Sequence, residues 1–194
     1  MAIANINGVD LYYEDTGIGD PIIFQHGYTA SHDGCRGAGD SAHPADGYTI
    51  EQLATDVVGM ADYHGFERFH YAGQSMGGLI GFELGLSYPD RLLSLSLSAP
   101  APADGIQMPQ SARDTMRERW ANQERDLLIR TTLAGVPRES AHGAVAAQVD
   151  RMLSVSEGHY DGCWDAMVNY HKGDRLGEIS TPTLILAGAA DSLL

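Results

Sequence analysis

Residues 70–78 read HYAGQSMGG, an apolar run that meets Gly73, offers one hydroxyl at Ser75 and passes through Gly77 into MGGLIGFELGLSY. A strand that turns into a helix this abruptly strains the backbone at the turn and leaves no room for side chains at the flanking glycines. G-x-S-x-G alone is weak in a chain with 23 glycines; the strand before it and the helix after it give it weight. Such a turn lifts the Ser75 hydroxyl clear of the sheet. It also aims the first helical N–H groups, that of Met76 among them, at an oxyanion formed there. The plainer reading makes Ser75 the cap of an ordinary helix.

The rest of the chain repeats the strand-helix rhythm. IANI, Asn7-Gly8 and VDLYYED spell an antiparallel hairpin, and IIFQHG is a short, continuously apolar strand of the kind buried on both faces. From Thr49 the spacing becomes helical: Thr49 and Gln52 form a capping box, Leu53, Val57, Met60 and Ala61 share one face, and Gly65 stops the helix. FHYAG and LLSLSLSA are further strands, and their alternation with helices predicts an α/β fold, a doubly wound and mostly parallel sheet. The pattern predicts core over residues 1–102, an inserted helical lid over 103–177 and a return to the core over 178–194. In the lid, Ser111 and Asp114 are expected to cap a helix running through Trp120 to Arg130, ended by Gly135 and Pro137, with two more helices after it.

Composition narrows the partners. Asp and Glu total 26 against 12 Lys and Arg, a formal net charge of −14 with no basic run, which argues against nucleic acid and anionic membrane. No apolar stretch nears the ~20 residues that span a bilayer, and the first residues lack the look of a signal peptide. Cys35 and Cys163 are without metal spacing and are expected as free thiols in a reducing, cytoplasmic compartment. No metal or cofactor is expected; a small-molecule substrate is. Oligomeric state is not legible.

Taken in order, the hairpin, IIFQHGY, RGAGDS at residues 36–41, GQSMGG, YPDRLLSLSLSAP, the helical stretch and PTLILAGAAD resemble the α/β-hydrolase fold family over essentially the whole chain. The resemblance implies that Ser75 is a nucleophile and that the N–H groups of Tyr28 and Met76 form an oxyanion hole. It implies that Asp191 orients a histidine base, with Asp104 the runner-up acid. A serine at this turn resembles the esterase, lactonase and C–C hydrolase branches, whereas dehalogenases and epoxide hydrolases carry aspartate. Trp120, Trp164 and Met167 are expected to wall an apolar pocket, although most large apolar lid residues belong to the lid's own core.

Two departures from the family pattern stand out. The base should follow the acid, yet only Ser192, Leu193 and Leu194 follow Asp191 in the given sequence, and esterase activity of this sequence alone is expected near background. His142, His159 and His171 are the candidate substitutes. Second, YTASHDG runs straight into CRGAGDS, placing a junction between Gly34 and Cys35 where similar proteins carry a helix and an interior strand. A gap beside IIFQHG is expected. The reading is a serine hydrolase of a small, mostly apolar ester or lactone. The alternatives are an impaired small-molecule binding protein and a C–C bond hydrolase or perhydrolase.

Overall fold

The computed structural model describes residues 2–29, 34–134 and 142–189. Asn7 and Gly8 take left-handed backbone, φ 52° and 79°, which folds β1 (Ala2–Ile6) back on β2 (Val9–Tyr13). Ile6 pairs with Val9 and Ala4 with Leu11. The short apolar runs become β3 (Ile22–Gln25), β4 (Phe69–Gln74), β5 (Leu92–Ser98) and β6 (Thr183–Leu186), a parallel sheet in that order.

Helix α1 (Ile50–Tyr63) follows Thr49, whose Oγ1 accepts the Gln52 N–H at 3.1 Å. The expected capping box is only half formed, because the Gln52 side chain turns instead to Asp56, which also binds Arg36 and Asn7. Met60 packs on the hairpin core of Ala4, Ile6 and Leu11. Gly65 ends the turn at φ 73°. Helix α2 (Met76–Ser87) is buried on every side from Met76 to Gly85, as its nearly unbroken apolar sequence demands. It covers the sheet face carrying Tyr71, Leu95 and Leu97, all buried.

Among the described residues, the α-helices between β5 and β6 are α3 (Gln110–Ala121), α4 (Arg125–Leu133), α5 (His142–Ser154) and α6 (Glu157–Asn169). Two details correct the sequence reading. Helix α3 starts behind Pro109 with no side-chain cap, so Ser111 and Asp114 lie inside it. The single helix expected through Arg130 is interrupted at Gln123, φ 54°, where Glu124 N–H reaches Arg119 O and Gln123 N–H reaches Trp120 O. That left-handed closing motif satisfies the last carbonyls of α3. The expected stop at Gly135 and Pro137 lies outside the described residues.

Among the described residues the hairpin does not pair with β3, and the sheet is in two pieces. Along the outer edge of β2, Ala42 N–H donates to Asp10 O at 2.7 Å and Ser41 Oγ accepts the Tyr12 N–H at 2.9 Å. A cavity of about 740 Å³ reaches Leu11 and Tyr13 on one side and Ile22 to Gln25 on the other, with Gly34 and Cys35 at its margin. This is the gap that the junction predicts. On the face opposite α2, Ile22, Phe24, Leu184 and Leu186 are 53, 77, 54 and 54% exposed.

Candidate active site

Ser75 sits where β4 gives way to α2, at φ 54° and ψ −112°. A side chain at Gly73 would begin 2.2 Å from the Gly77 carbonyl oxygen, and one at Gly77 would begin 2.5 Å from the Gln25 carbonyl oxygen. Both glycines are therefore required by the close approach of turn, helix and β3. The Ser75 N–H donates to Ser98 O at 3.1 Å, and its carbonyl accepts from Gly78 N at 2.8 Å and Ala101 N at 3.0 Å. The Ser75 side chain does not cap α2, which removes the plainer reading of this serine. A Cβ placed on Gly27 would lie 3.0 Å from Ser75 Cβ, so the loop after β3 abuts the serine.

Left-handed backbone recurs around it. Thr29, Ser75 and Ala99 have φ of 53°, 54° and 42°, and they lie at or just beyond the C-terminal ends of β3, β4 and β5. Strain of this kind concentrates at functional sites. At Thr29 and Ala99 it was not visible in the sequence, since neither threonine nor alanine signals such a conformation.

Tyr28 follows Gly27, and its hydroxyl donates to the Tyr160 carbonyl on α6 at 2.5 Å. Its ring centroid lies 5.5 Å from Tyr160 and 6.0 Å from Trp164. Burial raises the Tyr28 phenol far above its ordinary range. Met76 opens α2 and is buried. Trp120 and Trp164 are buried; Trp120 donates through Nε1 to Met152 O at 3.0 Å, and Trp164 lies against Arg113. Met167 is buried in the same cluster. Asp191, the expected acid, lies outside the described residues. The runner-up Asp104 has its carbonyl taken by His171 Nδ1 at 2.8 Å.

Among the described residues, His159, His70 and His171 are engaged by other groups. His159 is buried on α6 and donates through Nδ1 to Arg36 O at 2.9 Å, and its burial lowers its pKa to about 4. His142 opens α5, and its side chain lies outside the description. His70 Nδ1 pairs with Ser94 Oγ at 2.7 Å. Both thiols are buried, and burial disfavours their thiolates, pushing Cys35 up to about 12 and raising Cys163 as well. Among the described residues no group of three or more His, Cys, Asp or Glu converges to hold a metal, and no helix is long and apolar enough to cross a membrane.

A parallel sheet, a glycine-squeezed serine between strand and helix, and a helical stretch over the strand ends define the α/β-hydrolase class. A family model described as alpha/beta hydrolase fold matches residues 35–194, and the chain belongs to that family. The match begins at Cys35, where the sequence predicts a junction. Similar proteins include 3-oxoadipate enol-lactonase 2 of Acinetobacter baylyi, 30% identical over 158 residues, covering 80% of this chain and 59% of that one. The chain thus spans less than two thirds of that relative. The putative carbamate hydrolase RutD of Azorhizobium caulinodans is 28% identical over 229 residues, covering all of this chain and 82% of its own. Among solved structures, an esterase from Exiguobacterium antarcticum superposes with a TM-score of 0.87 at 21% identity, covering 98% of this chain and 82% of that one. The latter likeness is one of fold.

Proposed function

We propose that the chain is a serine hydrolase of small, mostly apolar carboxylic esters or lactones, working through an acyl-enzyme on Ser75. The observation that carries this reading is the strained backbone of Ser75, held between glycines with its hydroxyl unused as a helix cap. Ser75 Oγ attacks the substrate carbonyl as its proton passes to the base, and the N–H groups of Tyr28 and Met76 hold the developing oxyanion. Collapse breaks the ester C–O bond, and the base returns the proton to the leaving alcohol, which stays tethered in a lactone. Water then displaces Ser75 Oγ to release the acid. Asp191 is assigned to orient a histidine base. Helices α3 to α6 act as a lid, with Trp120, Trp164 and Met167 shaping the pocket. The names of the enol-lactonase and carbamate hydrolase relatives support hydrolysis at an acyl carbon.

A fluorophosphonate probe tests the assignment, with imidazole added as an external base. Slow labelling of Ser75, accelerated several-fold by imidazole and abolished in Ser75→Ala, is the expected result. Label that persists on another serine in Ser75→Ala overturns it. A protein that binds small esters but stays unlabelled is a binding protein instead.

A further inference from the structure

The cavity of about 740 Å³ between the hairpin and β3 is not walled by Ser75, and the proposed hydrolysis makes no use of it. Leu53, Val57 and Met60 of α1 line it, between Leu11 and Tyr13 of the hairpin and Ile22 to Gln25 of β3. Strand β3 turns an open edge to this space, for among the described residues no strand pairs there. His70 N–H donates to Pro21 O, and the parallel register of Ile22 with His70 then directs the backbone groups of Ile23 and Gln25 to β4. Those of Ile22 and Phe24 face the open edge, two N–H donors and two carbonyl acceptors.

The space has the size of a strand. A strand residue in a layered sheet takes up about 160 Å³, from a rise of ~3.3 Å, a strand spacing of ~4.8 Å and a layer depth of ~10 Å. The cavity therefore holds roughly five residues of extended chain, and β3 itself has four. The hairpin side is already used, since Asp10 O accepts from Ala42 N–H and the Tyr12 N–H donates to Ser41 Oγ. A ladder thus forms with β3 alone.

The two ends of the cavity differ in chemistry. Tyr13 packs on His64, ring centroids 4.8 Å apart, at the end of α1 that leads into β4. Glu14 and Asp15 follow Tyr13 and line the cavity, so two carboxylates lie where β3 begins. At the far end of β3, Gln25 is 8% exposed, and its Nε2 has no acceptor among the described residues. A donor taken out of water calls for one.

We infer that this cavity binds an extended segment of another chain by strand addition to β3. The segment has about five residues, basic at the first, apolar in the middle and carrying a side-chain acceptor at the last. It runs parallel to β3, exchanging backbone hydrogen bonds with Ile22 and Phe24, and its basic residue meets Glu14 and Asp15. Its apolar side chains alternate between α1 and the bare face beside Phe24. A folded second copy brings a recessed edge of its own, whereas a loose segment enters between the hairpin and β3. The formal net charge of −14 also favours a cationic partner.

The peptide Lys-Val-Ile-Val-Asn amide, titrated into the unaltered chain by calorimetry, tests this, with exchange of the Phe24 amide hydrogen followed by NMR. One-to-one binding that slows the Phe24 exchange at least about tenfold is expected, since a new hydrogen bond must open first. Methylating one alternate set of the peptide's backbone nitrogens should weaken binding about ten- to a hundredfold, for two lost hydrogen bonds, and methylating the other set should not. Replacing the lysine by glutamate should weaken binding severalfold, and the double change Glu14→Lys with Asp15→Lys in the protein should reverse that order. No binding, an unchanged Phe24 exchange, equal effects of the two methylations, or indifference to lysine against glutamate overturns the inference. Equal methylation effects would mark plain apolar filling of the cavity. A dimer in sedimentation that the peptide leaves intact would give the edge to a second copy and overturns it too. The titration needs no turnover, so it is read independently of the Ser75 assignment.

Discussion

At Ser75 the backbone holds an L-residue at φ 54° and ψ −112°, a conformation that costs on the order of 1–3 kcal/mol and persists only because its surroundings impose it. Ser75→Gly should therefore be more stable than Ser75→Ala by about 1 kcal/mol in urea unfolding, glycine's larger unfolded-state entropy offsetting part of the relief. A glycine variant less stable than the alanine variant contradicts the strain. Gly73→Ala goes the other way: a Cβ 2.2 Å from a backbone oxygen cannot be absorbed by a side-chain shift, and a loss of about 3 kcal/mol is expected. This part of the site was legible because it is contiguous, with strand, glycines, serine and helix falling within nine residues. The packing of Tyr28 and Arg113 on Tyr160 and Trp164 was not, because it joins three distant segments.

Among the elements, the hairpin and the strand-helix alternation were readable from turn chemistry and periodicity. The division of α3 from α4 was not, because Gln123 occupies a left-handed position where glycine or asparagine would have announced it. The split sheet follows from the junction between Gly34 and Cys35 and leaves β3 with one paired edge and one open edge. On that strand Phe24 is 77% exposed, an invitation to edge-to-edge association. Phe24→Lys should raise the concentration at which light scattering appears on warming, while changing unfolding stability by less than about 1 kcal/mol. Leu97→Ala, on the buried face under α2, should cost about 2–5 kcal/mol. Similar losses from the two substitutions would show that the sheet faces are not as unequal as described.

For the whole molecule, acidification sets two effects against each other. Protonating carboxylates reduces the formal charge of −14 and relieves self-repulsion, which favours the folded state. His159 opposes this. It is buried among Tyr28, Tyr48 and Cys163, with the Arg36 carbonyl on Nδ1, and its protonated form is further disfavoured by His26 and His43. Nε2 is buried without a partner among the described residues, so nothing there receives a second proton. Its pKa falls from 6.5 to about 4, and the unfolded chain therefore binds the proton first. The stability contributed by neutral His159 is complete above pH 6.5 and is lost as the pH falls towards 4, a change of about 3 kcal/mol. His159→Gln keeps an N–H for the Arg36 carbonyl and cannot titrate. Unfolding free energies measured from pH 7 to pH 4 should converge between the two proteins, with the variant less stable at pH 7 and the gap closing by about 3 kcal/mol at pH 4. Parallel curves would mean that His159 takes up its proton in the folded protein as readily as in the unfolded chain, through an opening of α6 away from the Arg36 loop.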